Sequence, residues 1–465
     1  MNFRRGAIYL LLVLLAACQA APDGLTGTPS ASATKTPRPK PTPDARAQLA
    51  VPKEALKGVT IQVWHPWFGV ESSLFESQIK EFNQSNEWGI VAQPTSQNNY
   101  TQLYENVTAA LPTPNRPQVV IAFPDHALGW DADGYVTDLT DYINDSEFGF
   151  GNDEIKDFPL VFWNQDSVGT KQLGVPAERS ARFLLYDVTW AQQLGFDAAP
   201  ANSTEFHTQA CAAHQTMLSD TDKKNDGQGG WLVDTDSMTA LSWMMAFGGG
   251  VLEGNDYRFL TPRNIAAFTF VKQLYDDGCA WSASPDADLP SAFANRKALF
   301  ATASLEDLPD YARAMGASAN ADEWTVLSFP GNVQTGLVAY GSSYIVLKST
   351  PEEQLASWLF IRWMLSPENQ KKWVEVTGLF PLRNSSIDLL SDYKNSHPQW
   401  AAAVNLLPQA QIQPQLASWQ KVRVMIGDGF SYMFRPELEN QPITISNQPV
   451  VILQQMDTIA KDLSK

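Results

Sequence analysis

With 465 residues and 50 acidic against 33 basic side chains, a formal charge of −17, the chain is long enough for more than one core. It carries no basic stripe able to neutralise phosphates, which excludes a nucleic-acid partner. Acidity otherwise keeps the chain soluble and says nothing of its fold.

The chain opens with Arg4 and Arg5 ahead of an apolar run, Ala7 to Ala17, too short to span about 30 Å of hydrocarbon. It therefore reads as a signal peptide over residues 1–17 rather than a membrane helix. Leu15-Ala16-Ala17-Cys18 resembles the lipobox of bacterial lipoproteins, which implies an acylated Cys18; an ordinary cleaved signal beside a chance cysteine is the plainer alternative. Residues 18–56 are rich in Pro, Ser, Thr and Ala, bury too little apolar area to order, and are expected to be a disordered tether. Acyl chains, at about 0.8 kcal/mol per CH₂, would hold the rest of the chain outside the cytoplasm against the membrane.

Val59, Ile61 and Val63 alternate with Thr60 and Gln62, which predicts a strand over 59–64. Phe75, Ile79 and Phe82 share one face of a helix predicted over 71–86. A second strand (88–94) and a second helix (100–111, with Leu103, Val107, Ala110 and Leu111 in helical spacing) come next. The run 117–123 is apolar on both faces, as a parallel strand under helices should be. In a β-α-β-α-β unit the ligand lies beyond the carboxyl ends of the strands. That rule selects His65-Pro66-Trp67, Gln97 to Tyr100, and Phe123-Pro124-Asp125.

Further on, 182–186 reads as extended, 203–218 as a helix, 219–230 as a turn-rich loop, and 236–250 as a helix ending in glycines. Thr261-Pro262 opens another helix that stops at Gly278. Cys211 and Cys279, an even pair in an exported chain, are expected to form a disulfide stapling two helices, with two buried thiols as the alternative. Beyond a strand near Tyr344, Thr350 and Glu353 have capping-box spacing, and the helix they open is apolar around much of its girth.

Motifs for catalysis are absent: no G-x-S-x-G, no H-E-x-x-H, no Walker loop, and Glu253 stands where the third glycine of a G-x-G-x-x-G would fall. His207 and His214 lack a third ligand and read as surface histidines, so neither metal nor cofactor is expected. Tryptophan stands out, 15 in all. Trp358, Trp363 and Trp373 read as core, whereas Trp67 and Trp419 are as well suited to stack on a sugar as to pack.

The stretches 63–86, 100–111, 116–143, 173–190 and 355–383, taken in order with the N-terminal signal, resemble extracellular solute-binding proteins of ABC importers, the family that includes maltose-binding protein. The resemblance implies an α/β, two-lobed periplasmic-binding-protein fold of type II, each lobe a doubly wound sheet flanked by helices. Lobe 1 would comprise 57–145 and 331–383, and lobe 2 would comprise 146–330 and 384–465. It further implies a receptor, not an enzyme: a monomer, anchored at the bacterial membrane, that passes a small carbohydrate-like solute to an ABC permease. Ligand-binding positions carried over are His65, Trp67, Tyr100 and Asp125 from lobe 1, and Glu178, Arg182, Trp243, Ser304, Glu306 and Trp419 from lobe 2, together with Tyr344. Where many relatives have Tyr-Asn, Tyr186 is followed by Asp187. The rival readings are a surface glycoside hydrolase with an unrecognised carboxylate pair and a tethered sensor or adhesion subunit.

Overall fold

The computed structural model describes residues 49–435 and 446–464, so Cys18 and the chain up to residue 48 lie outside the described residues. Residues 49–56, expected to be part of the tether, are docked on the body. Leu56 is fully buried, Leu49 and Val51 pack beside it, and the Leu49 backbone N–H donates to Asp145 at 2.8 Å. Leu49, Val51 and Leu56 remove apolar area from water, which offsets the entropy of ordering these eight residues.

The unit predicted from periodicity is present. Strands β1 (Thr60–His65), β2 (Val91–Ser96) and β3 (Val119–Ala122) are parallel, with helices α1 (Gly69–Ser85) and α2 (Tyr100–Ala110) between them. Ile61 and Val63 point inward, and all of β3 is buried. The sheet is completed by two antiparallel strands, Ser343–Val346 and Val175–Pro176, in the order β2, β1, β3, Ser343–Val346, Val175–Pro176. A second sheet runs Ala280–Trp281, Gly229–Leu232, Ala298–Ser304, Ser180–Asp187, Trp324–Leu327, with Ala339–Tyr340 paired to the start of the Ser180–Asp187 strand.

One apolar cluster is continuous from the first sheet onto one face of the second, joining Ile61, Val119 and Trp358 to Phe183, Leu185 and Phe293. Separate clusters cover the remaining faces: Leu184, Tyr186, Trp231 and Phe300 behind the second sheet, and Val120, Ala122 and Ile345 behind the first. Each sheet is thus sandwiched on both sides, the doubly wound arrangement. The Thr350–Glu353 capping box is formed, and it opens the buried helix Pro351–Met364.

The chain passes between the sheets twice within a few residues: from Pro176 to Ser180, and from Tyr340 to Ser343. The two passages are laced together, since the N–H groups of Ala177 and Glu178 both donate to the Ser342 carbonyl. Gly341 is needed there. Its φ is +145°, and a Cβ would stand 2.2 Å from the Glu178 carbonyl oxygen.

Cys211 and Cys279 are disulfide-bonded. Cys279 comes after the helix Pro262–Asp276 rather than lying on it, so the bond ties the helix Ser203–Ser219 to the lead-in of the edge strand Ala280–Trp281. His207 lies against this pair, but a disulfide has no thiolate to offer a metal.

Candidate functional site

The laced passages form the floor of a cavity of about 260 Å³, lined by Tyr100, Phe123, Glu178, Ser180, Asp236, Ser237, Met238, Glu306, Tyr340, Gly341, Leu379 and Arg423. Larger depressions exist, one of about 710 Å³ around Leu160, Ile387 and Leu407, but that one is largely apolar with Lys394 as its charged residue. In the smaller cavity, groups from both sheets converge.

Glu178 is the centre of this convergence. Its carboxylate accepts from the Tyr100 hydroxyl, from Trp67 Nε1 at 3.0 Å and from Ser342 Oγ at 3.1 Å. Tyr100 and Trp67 follow β2 and β1, so the loops selected by the strand-end rule do reach one point. Burial raises the Glu178 carboxyl above the usual range, and Glu306 adds to that by repulsion, against the donors that favour the charge. Burial also drives the Tyr100 hydroxyl far up, with Glu178 beside it reinforcing the shift, so that this hydroxyl keeps its proton. Its ring stacks on Phe123 at 4.1 Å.

On the opposite wall Glu306 accepts from Ser180 Oγ at 2.6 Å. Ser304 does not face the cavity: its hydroxyl and its N–H both bond Asp307, at 2.7 and 2.8 Å, and cap the turn after the Ala298–Ser304 strand. Arg182 is engaged by Asp234 at 3.1 Å, Asp307 at 3.4 Å and Asp236 at 3.9 Å. Arg179, one residue from Glu178, is turned away into a buried pair with Asp166 at 2.7 Å.

Asp125, at the first turn of the helix Pro124–Ala132, is 5% exposed and has one carboxylate oxygen without a partner. Burial raises it and the Arg423 charge draws it back. Arg423 itself lies over the Phe123 ring at 4.8 Å, carried there by the helix Trp419–Tyr432.

Besides Ser304, and Trp67, which is packed on His65, Phe75 and Trp373 and meets the site only through Glu178, four of the expected contacts are core or support. His65 is fully buried, its ring packed on Trp67 and Phe75 at 5.7 and 5.0 Å and both nitrogens unpartnered, and burial holds it down at about 4. Tyr344 is enclosed in the first core cluster. Trp243 is walled in by Phe206, Trp231, Phe270 and Phe329. Trp419 is 1% exposed, donates to Gln413 at 2.9 Å, and lies parallel to Tyr257. Each of these rings sits among apolar neighbours that remove more area from water than an open cleft would. One turn along from Trp419, Arg423 is the cavity residue that the sequence reading missed; so were Ser180, Asp236 and Tyr340. Asp187 plays no part in the cavity. It caps the helix Val188–Gln193 at the far end of the Ser180–Asp187 strand, roughly 23 Å from Ser180 at about 3.3 Å per residue.

Residues 77–408 match the family of bacterial extracellular solute-binding proteins. The chain belongs to that family. Proteins of this kind bind solutes and do not transform them, which removes the hydrolase alternative. Among relatives, the sn-glycerol-3-phosphate-binding periplasmic protein of Salmonella typhimurium is 22% identical over 75% of this chain and 81% of its own. A Brucella abortus protein described as a binding protein is 22% identical over 59% of this chain, and the match spans 66% of that relative's length. In shape this solute-binding protein is similar to the sugar-binding protein MalE of Xanthomonas citri, at a TM-score of 0.73 and 18% identity over 87% of this chain and 98% of that one. It is also similar to a cyclic maltosyl-maltose binding protein of Arthrobacter globiformis, at 0.70 and 18% over 87% and 100%. These likenesses carry the two-lobed fold. Among the described residues no helix is long and apolar enough to cross a membrane.

Proposed function

We propose that the protein is a lipid-anchored, extracytoplasmic receptor that captures a carbohydrate-like solute between two hinged lobes and delivers it to an ABC permease. The observation that carries this reading is the cavity at the crossing of the two chain passages, where Tyr100 and Phe123 come from one side and Ser180, Glu306 and Arg423 from the other. Aromatic faces for C–H surfaces, with a few placed carboxylates and hydroxyls for the sugar's own hydroxyls, are the mix a small polyol requires. The volume is that of about nine waters at about 30 Å³ each, which suits one sugar ring. Of the proteins named above, that of Salmonella typhimurium binds sn-glycerol-3-phosphate, and those of Xanthomonas citri and Arthrobacter globiformis bind sugars. A multiply charged phosphate is the poorer fit, because Arg179 and Arg182 are already committed to aspartates and Arg423 alone remains.

On this reading the expected lobes, 57–145 with 331–383 and 146–330 with 384–465, exchange two stretches at their borders: 146–176 goes with lobe 1, since Val175–Pro176 pairs in the first sheet, and 331–340 goes with lobe 2, since Ala339–Tyr340 pairs in the second. The passages at 177–179 and 341–342 are the hinge between the two sheets. The ligand closes the lobes because it touches both at once, and only such differential affinity shifts an open–closed equilibrium. Acylation at Cys18 keeps a single copy of the receptor beside its permease. The test is calorimetric titration against a panel of sugars and polyols, paired with small-angle scattering. Binding with a fall in radius of gyration is expected; a panel that binds without compaction, or not at all, overturns the reading.

A further inference from the structure

The cavity's charges are unbalanced in a way that speaks to the ligand. Three carboxylates line it, Glu178, Asp236 and Glu306, against one guanidinium, Arg423. Asp236 has Arg182 within 3.9 Å, and its other oxygen caps the helix Ser237–Ala246 through the Met238 N–H at 2.7 Å. Arg423 lies over Phe123 and faces Asp125. Glu178 and Glu306 are left, and among the described residues neither has an ion pair; their partners are hydroxyls and one indole. Glu178 has three donors already, while Glu306 has Ser180 on one oxygen only and stays exposed toward the cavity.

Two facing carboxylates without a cation repel more strongly as water leaves, since Coulomb energy scales inversely with the local dielectric. A neutral sugar can bond both but does not cancel that repulsion. A protonated amine does, and of the rings that bound the same space Tyr100 and Tyr340 can offer it a negative face, while Phe123 already lies between Tyr100 and Arg423. An ammonium also brings three donors to the unused lone pairs of Glu306 and its neighbours.

We infer that the solute is aminated: a sugar or polyol whose primary ammonium seats between Glu178 and Glu306, its hydroxyls running toward Arg423. This rests on the receptor reading and sharpens it. Closure then draws on the amine directly, because Glu178 belongs to the hinge and Glu306 to the second sheet's rim.

The test uses the purified mature chain and matched probes at pH 7: D-glucosamine, D-glucose and N-acetyl-D-glucosamine, the galacto series, and 1-amino-1-deoxysorbitol against sorbitol. Calorimetry reads affinity and scattering reads compaction. For at least one pair the amine is expected to bind about tenfold or more tighter, the worth of one charge-assisted hydrogen bond. Glu306→Gln, at an exposed position, should leave the thermal midpoint in place and erase the preference; Glu178→Gln should do the same where it folds. Neutral or acetylated members binding as tightly as their amines overturn this inference and leave the receptor intact. Failure of every member to bind or compact the protein overturns the receptor reading along with it.

Discussion

Removing single groups separates the cavity from its surroundings. Tyr100→Phe keeps the ring on Phe123 and takes away only the hydroxyl that Glu178 accepts, so solute affinity should fall about tenfold with little change in melting temperature. Trp243→Ala should do the reverse, costing about 3–5 kcal/mol of stability on denaturant titration while leaving the choice among solutes unchanged, because its ring meets only core. His65 yields a pH test. Held at about 4 in the fold against about 6.5 unfolded, it binds more protons in the unfolded chain between those values. Its contribution is therefore complete above about pH 6.5 and is lost as pH falls to about 4, roughly 3 kcal/mol in all. His126, held at about 3 chiefly by burial, acts in the same direction. Asp187, buried and raised to about 7, acts in the opposite direction over the same range, so the informative measurement is the difference between wild type and His65→Phe across pH 4 to 7. The variant should lose the steeper part of the acid decline. Which residues line the cavity, or hold the ones that do, was half legible in the chain. Tyr100 and Trp67 were found because strand ends obey a rule, whereas Arg423 lies on an ordinary-looking helix and acquires meaning only from what that helix is packed against.

Among the elements, those with a strong internal period were readable and the others were not. β1, α1, α2 and β3 announce themselves by alternation or by a 3.6-residue stripe, and their observed ends fall within a few residues of those expected. The strand Gly229–Leu232 read as loop because its glycines carry no pattern. They are there for proximity: a Cβ on Gly230 would lie 1.9 Å from the Cys279 carbonyl oxygen. Two-residue strands such as Val175–Pro176 and Ala339–Tyr340 are too short to show a period at all, and they are the ones that form the passages between sheets. The same corner of the second sheet yields a prediction. The bond between Cys211 and Cys279 closes a loop of 68 residues, for which the chain-entropy account gives about 4 kcal/mol of stabilisation. Replacing both cysteines by serine should lower the thermal midpoint by several degrees, measured by calorimetry under oxidising conditions. Solute affinity should stay within about twofold, because the bond lies at the edge strand and the cavity lies beside the Ser180 end of the sheet.

At the scale of the molecule, the proposed closure turns on what holds the two chain passages between the sheets. The guanidinium of Arg179 spans both passages. It donates to the carbonyls of Glu178 and Ser342, to the Phe162 carbonyl, to Ser343 Oγ at 3.1 Å and to the Asp166 carboxylate, which in turn accepts from Ser343 Oγ at 2.6 Å. Both side chains are 3% exposed or less, so the pair is fully withdrawn from water. Such pairs add little net stability relative to an apolar replacement, yet stranding one partner costs about 3–5 kcal/mol. Arg179→Met alone should therefore lower stability by that order, since Asp166 is left buried without its cation. Arg179→Met with Asp166→Leu should recover most of the loss in denaturant titration. If the network were only a source of stability, the double variant would then bind solute as the wild type does. Because Arg179 also holds the backbone carbonyls of Glu178 and Ser342, the residues whose side chains meet at the cavity, the recovered variant is expected to bind at least tenfold more weakly and to compact less on titration. Scattering on the double variant with and without solute therefore separates the two roles. Recovery of stability without recovery of compaction assigns the ion pair to the geometry of the two passages, where the proposed hinge lies.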